Sequence, residues 1–144
     1  MMIYLGADHR GFKLKEELKK ALEKKDYRVM DLGNHRLDEE DDYPDFAAAV
    51  AKKVAGDPAS RGIVLCGSGV GVDVVANRFK GVRSALAFSV KQAIMSRTDD
   101  DTNVLSLAAD FMTKRQARKI TEVWLRTAFS GAERHRRRIE KIDR

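Results

Sequence analysis

One cysteine is too few for an internal disulfide, and at 144 residues a single core can form without one. Cys66 is therefore expected to be a free thiol in a reducing, cytoplasmic setting. No apolar run approaches the roughly 20 residues that a membrane-spanning helix needs. The start, Met1 to Gly6, is too short for a signal peptide and runs at once into Asp8. Repeats, low-complexity tracts and interdomain linkers are also missing, and no histidine or cysteine spacing suggests zinc or iron. These absences leave one domain over residues 1–144, with no cofactor and no metal expected.

What is present is ordinary for a globular protein: 43 % hydrophobic and 35 % charged residues. The net charge of +6 is less ordinary, and much of the excess lies in the tail from Arg134 to Arg144. Three readings fit that tail: a nucleic-acid contact, a solvated helix end, or a phosphate-binding arm. No aromatic residue is interleaved with its arginines for base stacking, so a nucleic-acid partner is not expected.

Short β-rich runs alternate with helical patterns, which predicts a βαβ architecture. Strands are expected at Met2–Gly6, Tyr27–Leu32, Gly62–Cys66, Ser84–Phe88 and Asn103–Leu107. Phe12, Leu14, Leu18, Ala21 and Leu22 predict one amphipathic helix. Pro44 suits the first turn of the next, over Asp45 to Ala55, and Val70 to Phe79 forms a third. Ser89 with Gln92 and Thr113 with Gln116 resemble capping boxes opening two more. The last of these is expected to bury Ala117, Ile120, Val123, Trp124 and Ala128. Gly131 then interrupts, and the basic tail forms a final helix. The acidic run Asp38–Asp42 reads as a solvated loop, and His35 and His135 as surface residues. The expected fold is a three-layer α/β sandwich with a five-stranded, mainly parallel sheet.

Parallel strands connected by right-handed crossovers end on one edge, where open α/β sheets bind ligands. Asp8-His9 follows the first strand, Cys66–Gly71 follows the third, and an acidic cluster at Asp99–Asp101 precedes the fifth; all three are expected to converge. The run Cys66-Gly67-Ser68-Gly69-Val70-Gly71 is neither the dinucleotide fingerprint nor a lysine-bearing P-loop. Its glycines allow close backbone approach, and its amides suit a small anion or a developing oxyanion. A lone cysteine at a strand end is often just a small buried hydrophobe, but a thiol before a helix N-terminus can act as base or nucleophile. Asp8-His9 either orients a substrate or caps a turn. The three aspartates either hold a hard cation or form a solvated turn.

Gly6–Lys15, Asp42-Tyr43-Pro44, Gly62–Gly71, Ala76-Asn77-Arg78, Asn103-Val104-Leu105 and the tail Arg134-His135 with Arg137-Arg138 together resemble the ribose-5-phosphate isomerase B family, which includes the galactose-6-phosphate isomerase subunits. The resemblance spans nearly the whole chain. It implies a Rossmann-like fold and metal-free aldose–ketose isomerisation of a sugar phosphate through an enediolate. It also implies a homodimer with active sites at the subunit interface and the tail 131–144 reaching the partner, with tetramers left open. By that resemblance Cys66 is the catalytic base and Ser68 assists at the substrate hydroxyls. The amides of Gly67, Gly69, Val70 and Gly71 stabilise the enediolate oxygen, Asp8 and His9 contact substrate, and Arg134 and Arg138 grip phosphate. Members without the cysteine carry a glutamate base six residues later, where this chain has Val72.

Three positions depart from the family's usual pattern. Asp99 and Asp100 stand where it has His-Asn, the histidine serving to open the sugar ring; Asp99 takes that catalytic place and Asp100 the substrate contact beside it. Asp110 stands where an arginine commonly helps to bind phosphate. Two alternatives stay open on this account: an isomerase of a different or unphosphorylated sugar, and a non-catalytic sugar-binding or partner subunit.

Overall fold

The computed structural model describes residues 1–143, so only Arg144 of the basic tail lies outside the described residues. The order is β1 (Met2–Ala7), α1 (Phe12–Glu23), β2 (Arg28–Asp31), α2 (Tyr43–Gly56), β3 (Arg61–Cys66) and α3 (Val70–Ala76). There follow β4 (Ser84–Leu86), α4 (Val90–Asp100), β5 (Val104–Ala108), a short 3-10 turn (Ala109–Phe111), α5 (Lys114–Arg126) and α6 (Glu133–Ile139). The strands lie in the order β2-β1-β3-β5-β4 and every pairing is parallel.

Alternation along the strands sorts the core into two layers. Ile3, Leu5, Ile63, Leu65, Leu105 and Leu107 face α1 and α5, where Leu14, Leu18, Ile120 and Trp124 bury against them. Tyr4, Val64, Cys66 and Val104 face the opposite way, onto Ala47, Val50 and Val54 of α2 and Val72 of α3. Each fully buried aliphatic side chain contributes about 2 kcal/mol, so both layers are needed to hold the sheet.

Local signals held where they rest on neighbouring residues. The Thr113 hydroxyl accepts from the Gln116 amide at 3.2 Å, and the Gln116 side chain returns a bond to the Thr113 amide at 2.8 Å. Ser89 accepts from the Gln92 amide at 3.1 Å, although Gln92 reaches back to the Phe88 amide instead of that of Ser89. Three elements end two or more residues short of expectation. α3 stops at Ala76 because the Asn77 side chain turns out to bridge the backbone of Ser84 and dock β4. β4 ends at Leu86, leaving Phe88 49 % exposed. α5 ends at Arg126, so Ala128 lies beyond the helix and is exposed.

Candidate active site

β1 and β3 are neighbours, yet the chain leaving β1 passes into α1 on one face and the chain leaving β3 into α3 on the other. The crevice that opens between two such diverging loops is where parallel α/β sheets take ligands. Here it is an open cleft of about 340 Å³ whose lining includes Asp8, Tyr43, Cys66, Ser68 and Gly71.

Cys66 is 4 % exposed at the end of β3, on the α2/α3 face. The chain reverses behind it through Gly69, whose φ of 73° lies in the left-handed region that favours glycine. The Gly69 amide donates to Cys66 Sγ at 3.2 Å, and the Val70 amide donates to Ser68 Oγ at 3.2 Å. Two loop amides are thus already directed at the two side chains expected to react. Gly67 and Gly71 flank them in the same cleft.

Asp8 is buried, and its Oδ1 accepts the amides of Arg10 and Gly11, each at 3.0 Å. It is both a turn cap and a wall of the cleft. His9 is held more elaborately. Its amide donates to Asp41 Oδ1 at 2.9 Å and its Nδ1 lies 2.7 Å from the same oxygen, while the Asn34 amide group donates to Asp41 Oδ2. The hydrogen bond His9 donates to Asp41 is the main cause that raises the His9 pKa above its ordinary value, with Asp8 and Asp41 charge adding to it against desolvation. Burial pushes Asp41 up, but the bonds from His9 and Asn34 outweigh it and hold the carboxyl below its ordinary range. With Nδ1 tied to Asp41, the remaining ring nitrogen is the one left to meet a ligand.

Asp41 corrects the reading of Asp38–Asp42 as a solvated loop: its side chain is 7 % exposed and orients His9. No local pattern could reveal a pairing 32 residues apart. The loop that brings Asn34 to Asp41 is anchored by Lys15, fully buried on α1, which binds Asp31 at 2.7 Å and the Asn34 carbonyl at 2.6 Å. Burial works to raise Asp31, yet Lys15 and the Gly33 amide hold it below its ordinary value. Asp8, His9 and Asp41 place potential metal-ligand atoms within 4.8 Å of one another. Hydrogen bonds join His9 to Asp41, and Asp8 precedes His9 in the chain.

The expected convergence of all three segments fails within one chain. α4 runs antiparallel to the strands, so its last turn, with Asp99 and Asp100, meets the starting edge of the sheet. Gly62 to Cys66 along β3 spans about 13 Å, which separates that edge from the cleft. Asp99 accepts from the Thr98 hydroxyl at 2.8 Å, and its side chain is 40 % exposed. Asp101 is held by Arg97 at 2.7 Å and Arg83 at 3.4 Å, so that carboxylate serves two arginines. α6 packs on α4. His135, expected at the surface, is 5 % exposed: its Nδ1 lies 2.7 Å from Ser130 Oγ and its Nε2 lies 3.8 Å from Asp99. Arg134 and Arg138 stay exposed, one turn apart on one face of α6. Asp99, Asp100, Arg134 and Arg138 therefore form a second group, away from Cys66.

Asp110 does face the cleft, and it does not stand alone. Its carboxylate forms an ion pair with Arg10, a residue the sequence singled out only as part of a motif.

A sequence profile of the family described as Ribose/Galactose Isomerase matches residues 3–142. The chain belongs to this family. Among its relatives, the ribose-5-phosphate isomerase B of Mycobacterium tuberculosis is 39 % identical over 97 % of this chain and 86 % of its own length. The crystal structure of ribose-5-phosphate isomerase B from Mycoplasma genitalium with bound ribulose-5-phosphate superposes with a TM-score of 0.95. It is 44 % identical and covers 98 % of this chain and 93 % of that one. The type B ribose 5-phosphate isomerase of Trypanosoma brucei superposes at 0.93, with 37 % identity over 99 % and 96 %. The Ribose/Galactose Isomerase fold is thus the α/β sandwich with a five-stranded parallel sheet described above. No helix among the described residues is long and apolar enough to cross a membrane.

Proposed function

We infer that this member of the Ribose/Galactose Isomerase family is an aldose–ketose isomerase of the ribose 5-phosphate/ribulose 5-phosphate type. The observation that carries the reading is the cleft at the β1/β3 divergence, where Cys66, Ser68 and Asp8 meet, in a chain 44 % identical to a protein whose structure holds ribulose-5-phosphate. Cys66 as thiolate takes the proton from C2 of the open-chain aldose, and the carbonyl electrons move onto O1 to form the enediolate. Return of that proton to C1, with the O2 proton passing to O1, then gives the ketose, so no atom is gained or lost. Amides of the Gly67–Gly71 loop stabilise the enediolate charge, and Ser68 orients the hydroxyls. Asp8 accepts a substrate hydroxyl, and the outer nitrogen of His9 donates to substrate.

The second group joins the site only across a subunit boundary. Support for a homodimer comes from exposed apolar side chains beside the cleft and on α4: Val70, Val74, Phe88, Ile94 and Met95. In that dimer Arg134 and Arg138 of the partner subunit hold phosphate and Asp99 of the partner subunit assists ring opening, with Asp100 beside it. The tail 131–144 is the arm that crosses. A functional thiol at Cys66 suits a reducing compartment, hence the cytoplasm.

The test is conversion of ribose 5-phosphate by direct ketose detection, with solvent exchange of the C2 proton followed by NMR. Wild type exchanges and converts; Cys66→Ala does neither. Full activity in Cys66→Ala would overturn the assignment of the base.

A further inference from the structure

Arg10 lies in the loop between β1 and α1, and Asp110 in the short turn after β5, one hundred residues on. Their ion pair closes over Gly67. A Cβ added to Gly67 would come within 2.5 Å of Asp110 Oδ2 and 2.6 Å of Arg10 Nε. The Asp110 amide also donates to the Gly67 carbonyl at 3.0 Å, fixing the turn against the strand end. The pair is therefore seated on the backbone that follows Cys66.

Charge decides what such a pair can do. Asp8 and Asp110 both line the cleft, and two carboxylates repel an incoming dianion at close range. Among the described residues lining the cleft, Arg10 carries the only fixed positive charge. A guanidinium has five N–H donors in a rigid fork, so pairing with one carboxylate leaves donors for a second anion. The Arg10 side chain is 60 % exposed while that of Asp110 is 35 % exposed, which leaves the cation, not the carboxylate, as the more accessible partner.

We propose that Arg10, oriented by Asp110, is the residue within this chain that binds the anionic end of the substrate and selects phosphorylated over free sugars. The proposal rests on the isomerase reading of the cleft. Asp110 is a positioning residue that acts through Arg10.

The test compares Arg10→Met, Asp110→Asn and the double variant with wild type, using ribose 5-phosphate turnover and inorganic phosphate as a competitive inhibitor. Arg10→Met is expected to raise KM and the phosphate inhibition constant together, by about 10- to 100-fold, with kcat within about threefold. Asp110→Asn shifts both constants less. The double variant recovers part of the loss seen in Arg10→Met, since the unpaired carboxylate is gone. Arg10→Lys restores part of the phosphate affinity. A fall in kcat or melting temperature with both constants unchanged would show a structural role only and overturn the proposal. Thermal-shift titration with phosphate separates the two readings. Phosphate that stabilises wild type but not Arg10→Met, without any turnover, sinks the isomerase reading and leaves Arg10 standing. A wild type that neither converts ribose 5-phosphate nor responds to phosphate overturns this proposal as well.

Discussion

The Gly69 amide donates to Cys66 Sγ at 3.2 Å, so the turn that follows β3 is built to point a backbone donor at the thiol. The bond exists because Gly69 takes φ 73° and sits tight against Leu86 and the end of β5. A Cβ there would come within 2.5 Å of Leu86 Cδ1 and 3.0 Å of the Ala108 amide. Gly69→Ala should therefore cost about 2 kcal/mol in stability and most of the isomerase activity. Denaturant midpoints and ketose formation measure both; an unaltered midpoint would mean the turn relaxes freely.

The His9–Asp41 pair carries a pH signature with two limbs. A raised His9 pKa contributes stability that is fully present below about 6.5 and fades as pH rises through the folded-state value. A lowered Asp41 pKa contributes stability that is present above the ordinary carboxylate range and is lost as pH falls through its folded-state value. Asp41→Asn should return the His9 titration, followed by NMR, toward the ordinary histidine value. It should also weaken ribose 5-phosphate binding by several-fold through loss of ring orientation. A His9 titration that does not move would remove Asp41 from the site.

Lys15→Met strands Asp31 in a protein interior without its cation. Its expected cost is about 3 kcal/mol, read from urea unfolding at neutral pH. The deficit should shrink as pH falls through the carboxylate range: without Lys15, burial favours protonation of Asp31 and removes the orphaned charge, while wild type keeps its pair down to the lowered Asp31 value. A stability loss independent of acid would point to lost packing instead. KM should rise too, because Lys15 also holds the Asn34 carbonyl behind Asp41.

A site shared by two chains predicts complementation. Cys66→Ala and an Arg134→Ala/Arg138→Ala variant should each be nearly inactive with subsaturating ribose 5-phosphate. After mixing and subunit exchange, half the dimers carry one intact site, so about a quarter of wild-type activity should return. No recovery, with mixed dimers shown by mass spectrometry, would place both groups' work in one chain or in neither.

Val74, 57 % exposed on α3, offers a direct probe of the proposed dimer interface. Val74→Glu should leave the far-UV circular dichroism unchanged and move sedimentation from dimer toward monomer, with activity falling in step. A variant that stays dimeric and active would move the interface elsewhere on the surface.

Much of this protein is written in short stretches of its sequence. Continuous apolar runs at Ile3–Leu5 and Ile63–Cys66, the 3.6-residue face of α1, and the Thr113–Gln116 cap each depend on a few neighbours, so they could be read without a fold. The Cys66–Gly71 loop was legible for the same reason: a thiol, glycines and a helix start lie side by side. Tertiary structure alone decided the partners. Asp41 looked like solvent-facing charge until the loop carried by Lys15 and Asn34 brought it to His9. Asp110 looked like a misplaced negative charge until strand order set Arg10 beside it. Asp99, by contrast, was drawn away from Cys66 because a crossover helix must run back along the strands. Local periodicity records which face a residue takes, whereas sheet order and register determine which distant residue it meets there.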